Sequence, residues 1–309
     1  MLAILVFSML AGCKGDAKEG SAAQRTATAT STGFNGGAAY NYAGAQVAFG
    51  PRVPGTPAAK QGGDWIIRQM RARADTVIVQ SFTYTTADGK KLPLRNILAR
   101  FRPELPERVL YVTHWDSRPI SESATTEALK KMPVPGANDG ASGVGMFVAL
   151  GDALKRTRPN VGVDLLFTDG EDYGQFGPPE VDVLIGSKYF AKHLPSADYK
   201  PLYGVLWDMI GDRDLRIPYE MFSFQRAPEV VSQVWQTAAD LGYGNIFVQE
   251  SGGEVVDDHV PLLDAGLRVI DVIDLTYPPH HTPYDTMDKI SARSLAIVGD
   301  VATALVTRK

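Results

Sequence analysis

Residues 108–116, RVLYVTHWD, join a run of β-branched and large apolar residues to a turn that carries an imidazole and a carboxylate. The run lacks the apolar–polar alternation of a half-buried strand, so 108–113 reads as a strand covered on both faces. The pattern recurs at 161–168 (VGVDLLFT), which leads into Asp169-Gly170-Glu171-Asp172, and at 202–209 (LYGVLWDM), which carries Asp208 near its end. Segments 77–84, 94–100 and 267–273 also read as strands. Between the strands, 58–74 spaces Trp65, Ile66, Ile67 and Met70 for one helical face, and 141–156, 186–194, 228–241 and 291–307 read as further helices. Strands alternating with helices predict an α/β fold, a single-domain α/β/α sandwich with a mixed, mainly parallel central sheet. In such open sheets ligands gather beyond the carboxyl ends of the strands, where these acidic and imidazole groups fall.

Composition narrows the options. Apolar residues make up 44% and charged residues 21% of the 309, which suits a globular domain with a large core. A net charge of −4 and the lack of a basic stripe exclude nucleic acid as a partner. The single cysteine, Cys13, cannot form an internal disulfide. It follows an apolar run, MLAILVFSML at 1–10, and then Ala11-Gly12, which resembles a bacterial lipoprotein signal. That resemblance implies cleavage before Cys13, lipid on its thiol, and a location in the cell envelope, at the periplasmic face or outer membrane. Membrane contact is then expected only through Cys13, since no later segment reaches the ~18 apolar residues of a span. Residues 14–48, rich in Gly, Ala, Ser and Thr, read as a flexible linker because they offer little surface to bury. The folded domain is expected over 49–309.

Five segments hold candidate metal ligands: His114 and Asp116 in HWD, Asp139 in GANDG, Glu171 and Asp172 in DGED, Asp208 in WDMIGD, and His281 in HHTPYDT. Imidazole nitrogen and carboxylate oxygen suit zinc, which in catalytic sites keeps three protein ligands and one open position. An isolated Asp in a Gly-rich loop is usually a turn residue or helix cap; five such segments in one α/β frame point to a site. The bland readings stand beside this one. Trp65 and Trp235 read as core, Asp116 as the carboxylate orienting His114, His259 as a satisfied buried histidine and His193 as a surface residue near a helix C-terminus.

Taken in order, PRVPGT at 51–56, HWDSRP, GANDGASGVG, DGEDYG, IGSKYF, LWDMIGD, DDHVP and HTPYDTMD resemble the zinc aminopeptidase and glutaminyl cyclase superfamily over roughly residues 50–309. Within it the chain is most similar to bacterial glutaminyl-peptide cyclotransferases related to the animal enzymes. The resemblance implies that 49–309 is a zinc-dependent catalytic domain with Asp139, Asp172 and His281 as ligands of one Zn2+. It implies Glu171 as general acid/base, and Asp208 and Asp257 as the acidic residues that complete its proton network. In the aminopeptidases His114 and Asp208 would hold a second zinc, with Asp139 bridging. Two departures are visible: His280 stands where the cyclases place a Trp before the zinc histidine, and the stretch after Asp172 offers Tyr173 and Phe176 in place of a second pocket Trp. The expected reaction is conversion of N-terminal glutamine of peptides or proteins to pyroglutamate with loss of ammonia, by a monomer. A zinc aminopeptidase is the alternative. An inactive peptide-binding lipoprotein would have lost Glu171 or a ligand, and neither is lost.

Overall fold

A computed structural model describes residues 32–307. Helices α1 (Gly36–Val47) and α2 (Pro57–Arg71) precede the antiparallel pair β1 (Thr76–Thr85) and β2 (Lys91–Phe101). There follow β3 (Arg108–His114), the short α3 (Glu127–Lys130), α4 (Ala141–Arg156), β4 (Gly162–Thr168), α5 (Ile185–Lys192) and β5 (Tyr203–Asp208). The remainder is β6 (Ile217–Tyr219), α6 (Met221–Arg226), α7 (Pro228–Asp240), β7 (Phe247–Ser251), α8 (His259–Asp264), β8 (Val269–Ile273) and α9 (Ala292–Thr307).

Six strands form the main sheet in the order β1-β2-β4-β3-β5-β8, while β6 and β7 pair separately. β4, β3, β5 and β8 run parallel, and β2 is antiparallel to both of its neighbours. The expected mixed, mainly parallel α/β sheet is therefore observed. Every residue of β3, β4 and β5 is buried, as strands covered on both faces must be. Val109 and Tyr111 face a layer that includes Phe147 of α4 and Val298 and Val301 of α9. Leu110 and Val112 face Phe190 of α5 and Leu262 of α8. Trp235 is buried in the first of these layers and Trp65 packs against it half-buried.

The linker reading of 14–48 needs correction. Residues 36–47 form α1, started by Asn35, whose side chain accepts from the Ala38 amide at 2.9 Å. The helix lies on α4 and α9. Its contact face is Ala39 and Ala43, both fully buried. A Cβ at Gly145 would collide with the Ala39 carbonyl, and one at Gly36 with the Ala292 carbonyl. Small residues here bring backbones together, so the segment buries area without the large side chains that signal burial in a sequence. The signal and lipid-anchor reading at residues 1–13 lies outside the described residues. The elements α3, β6, α6, β7 and α8 were not anticipated; each is too short to display a period.

Candidate active site

Loops at the carboxyl end of the sheet bring the predicted residues together. β3 ends on His114 and β5 on Asp208, β4 runs into Glu171 and Asp172, and the segment after β8 carries His281. Asp139 precedes α4. Each loop is held from behind. The buried Asp285 carboxylate accepts from the amides of Asn138 (2.8 Å) and Asp139 (3.1 Å), and from the Tyr277 hydroxyl (2.7 Å). Asp116 accepts from the amides of Glu171 (3.1 Å) and Asp172 (3.2 Å). The buried guanidinium of Arg52 donates to the carbonyls of Pro135 and Gly136, each at 2.6 Å. Gly140, at φ 93°, lets the loop pass so close that a Cβ would sit 2.7 Å from the Asp116 carbonyl oxygen. His281 adopts a left-handed φ of 54°, a strained conformation of the kind that clusters at functional sites.

Two groups of ligand atoms result, sharing Asp139. His281 Nε2 lies 3.4 Å from Asp172 Oδ1 and 3.7 Å from Asp139 Oδ2. These separations exceed a hydrogen bond. Bonds of about 2.0–2.1 Å meeting at tetrahedral angles would put the ligands of one zinc about 3.3 Å apart. The Oδ2 atoms of Asp139 and Asp172 are buried and have no hydrogen-bond partner among the described residues. His281 Nδ1 is engaged with Glu122 Oε1 at 2.7 Å, which leaves Nε2 for the cluster. Burial opposes charge on His281, yet Asp172, Glu122 and Asp139 lift it to about 10, so the carboxylates here hold more negative charge than their neighbours offset. The residues fit a divalent cation. Around His281, the three residues whose ligand atoms all lie within 4.8 Å of one another are Asp139, His280 and His281; Asp172 is not among them.

The second group, His114, Asp139 and Asp208, also keeps its ligand atoms within 4.8 Å. Here His114 Nε2 is 3.0 Å from Asp139 Oδ1 and 3.1 Å from Asp208 Oδ1, hydrogen-bond separations. Its Nδ1 is 3.5 Å from Asp116 and 3.6 Å from Glu171. Asp116 is near His114 but makes no hydrogen bond to it: His114 Nδ1 has no partner among the described residues, and the Asp116 carboxylate organises the loop opposite.

A cavity of 680 Å³ opens over both groups, with Asp139, Glu171, Asp172, Asp208, Asp257 and His281 on its wall. His114 lies buried beneath. Burial pushes Glu171 well above the usual carboxylate range, and although His114 opposes this, Asp172 and Asp257 add to it. Burial, with the charges of Asp208 and Asp258, does the same to Asp257. Both carboxyls can therefore hold a proton where an exposed one would not.

Three contributors escaped the sequence reading. Arg118 donates to Asp172 through Nη1 and to Glu122 through Nε at 2.6 Å, fixing both around His281. Asp285 anchors the Asp139 loop. Arg118 and Asp285 stand inside the motifs HWDSRP and HTPYDTMD, so a signal existed; Glu122 had none. His193 is exposed at the end of α5, as expected.

The sequence pattern of peptidase family M28 matches residues 96–306. The glutaminyl cyclase of Porphyromonas gingivalis is 37% identical, with a TM-score of 0.84 over 88% of this chain and 97% of that one. A Zn-dependent exopeptidase from Parabacteroides distasonis is 34% identical, with a TM-score of 0.85 over 89% and 99%. Aminopeptidase YwaD of Bacillus subtilis is 25% identical over 276 residues, covering 82% of this chain and 51% of that protein, so the chain spans about half of its length. The family match takes in β2 through most of α9 and every candidate ligand and proton-transfer residue described above, and on that ground the chain belongs to peptidase family M28.

Proposed function

We propose that the protein is a zinc-dependent glutaminyl-peptide cyclotransferase, converting N-terminal glutamine of peptides to pyroglutamate with release of ammonia. The observation that carries this reading is the unequal spacing of the two histidines around Asp139. Asp172 and His281 stand off from each other at ligand separations, whereas His114 is close enough to hydrogen-bond Asp208 directly. On this reading Asp139, Asp172 and His281 would hold one ion, and Asp208 would remain a hydrogen-bonding carboxylate. The likeness to a solved glutaminyl cyclase over nearly its whole length supports the same reading.

When bound by Asp139, Asp172 and His281, zinc would serve as a Lewis acid toward the side-chain amide carbonyl of the substrate. The chain's own residues handle the rest. Glu171, adjoining Asp172, accepts a proton from the substrate α-amine as its nitrogen bonds to the side-chain amide carbon. The same carboxyl then returns that proton to the amide nitrogen as the carbon–nitrogen bond breaks, and ammonia leaves. Asp208 and Asp257, on the cavity wall, hold the hydrogens of the amine so that its lone pair faces the carbonyl. The buried wall excludes competing water.

The second reading is a zinc aminopeptidase, favoured by the His114, Asp139 and Asp208 group, which could take a further ion. Incubation with Gln-peptides and with aminoacyl-amides, read by mass, separates the two. Loss of ammonia from Gln-peptides supports the cyclase; release of free N-terminal residues overturns it. The same proposal has the enzyme lipid-anchored in the cell envelope through Cys13 of the Leu10-Ala11-Gly12-Cys13 pattern. Cys13→Ala should move it from membranes to the soluble fraction, and unchanged membrane association would rule that anchor out.

A further inference from the structure

Behind the cavity lies a second set of buried ionisable groups. His259, the first residue of α8, is fully buried. Its Nε2 is 3.1 Å from Glu220 Oε2 and its Nδ1 is 3.9 Å from Asp271 Oδ2. Neither ring nitrogen has an aligned hydrogen bond, and both oxygens of Asp271 lack any partner among the described residues. Of the expectation of a satisfied buried histidine only the burial holds: both ring nitrogens lack a hydrogen-bond partner among the described residues, with Glu220 and Asp271 as the carboxylates nearest them. Buried carboxylates left without partners are costly, so this arrangement needs a purpose in the fold.

Glu220 shows what the set controls. It caps α6 by accepting from the amides of Phe222 (2.8 Å) and Ser223 (2.6 Å) and from the Ser223 hydroxyl (2.6 Å), and it also accepts from the Val255 amide at 3.0 Å. Val255, Val256 and Asp257 form one wall of the cavity. Asp271 lies on β8, where its amide donates to the Ser223 hydroxyl at 2.8 Å.

We propose that His259 is a positioning residue for Asp257, its Nε2 set 3.1 Å from the Glu220 carboxylate that accepts from the Val255 amide, and so fixing the 255–257 segment of the cavity wall against α6. The inference rests on the reading of Asp257 as part of the proton-handling set. The charge on Glu220 is consistent with that contact. Burial raises Glu220, but the contact with His259 and the hydrogen bonds from Ser223 outweigh it and bring the carboxyl to about 2. Burial, with the charges of Asp257 and Glu220, pushes Asp271 well upward.

The test is His259→Phe, which keeps a planar ring and removes both nitrogens. Turnover of a Gln-peptide should fall about 10- to 100-fold with KM within about threefold, the scale of a misplaced catalytic group. Amide exchange at 254–257 should quicken while zinc content and the remaining exchange pattern stay as in the parent. Asp271→Asn should keep kcat within about threefold, because Asp271 stands 3.9 Å from Nδ1 and makes no hydrogen bond to it. If His259→Phe does not fold, His259→Gln replaces it, with the same loosening expected. A folded variant with unchanged exchange at 254–257 and unchanged kcat overturns the proposal, and so does an equal loss in Asp271→Asn. Exchange needs no turnover, so a parent protein that fails to cyclise glutamine would sink the functional reading without touching this result.

Discussion

His281 and His114 both face Asp139, and they face it differently. His281 keeps its distance, at 3.7 Å from Asp139 and 3.4 Å from Asp172, with its far nitrogen braced by Glu122. His114 closes in, at 3.0 Å from Asp139 and 3.1 Å from Asp208. The lesson concerns what a ligand list conveys. The same residue types, imidazole and carboxylate, stand in both groups, and what separates them is spacing: beyond a hydrogen bond around His281, within one around His114. Position in the fold supports the difference. His281 is on a loop in a left-handed conformation at the cavity wall, whereas His114 ends a fully buried strand and is itself buried.

The largest test of this contrast is His281→Ala. It should lose zinc, and with it turnover by about 10⁴-fold or to background, since both carbonyl polarisation and substrate placement depend on that ion. Metal analysis beside kinetics checks it; a zinc-free variant with full activity would dissolve the contrast. Glu171→Gln comes next. It should retain zinc and lose about 10²- to 10⁴-fold in kcat, the range for a positioned proton-transfer group. A loss under about tenfold, with fold and metal intact, would assign the proton transfer elsewhere.

A smaller effect is expected on the other side. The parent should bind close to one zinc per chain, and His114→Gln should keep that zinc while turnover falls about tenfold, through looser placement of Asp139 and Asp208. Two tightly bound zinc ions in the parent, one of them lost in His114→Gln, would make the groups equivalent and favour the aminopeptidase. Glu122→Gln should weaken zinc affinity about 10- to 100-fold while leaving kcat at saturating zinc nearly unchanged, as loss of a partner behind a ligand does. The smallest effect is in acid stability. Burial raises Glu122, but His281 and Arg118 hold it at about 2. The stability that its pairing contributes is complete above the ordinary carboxylate value of about 4.3 and is lost as pH falls from there toward 2. Melting curves of Glu122→Gln and the parent should converge across that window.

Much of this site could be read before any coordinates. β3, β4 and β5 carry continuous apolar runs that end in His114, Glu171-Asp172 and Asp208, so fold and ligands share one signal. The rest lacked one. Glu122 lies in an irregular stretch, and nothing local marks it as the brace of a histidine 159 residues away. The Glu220–His259–Asp271 set draws on α6, α8 and β8, of which the two helices are six residues each, too short to declare a buried face. α1 was misread because its burial relies on Ala39, Ala43 and the glycines opposite, residues that the same reasoning assigns to a linker.

That helix bears on how the enzyme could be set free from a membrane. α1 backs α4, and α4 begins just after Asp139, so this helix braces the loop of a proposed metal ligand. A protease that shed the enzyme by cutting ahead of Thr32 would leave α1 and its Asn35 cap in place. One that cut between α1 and α2, near Gly50, would uncover the small-residue faces of α4 and α9 and leave the metal loop without its backing. Where the chain is severed would then decide whether shedding spreads the activity or ends it.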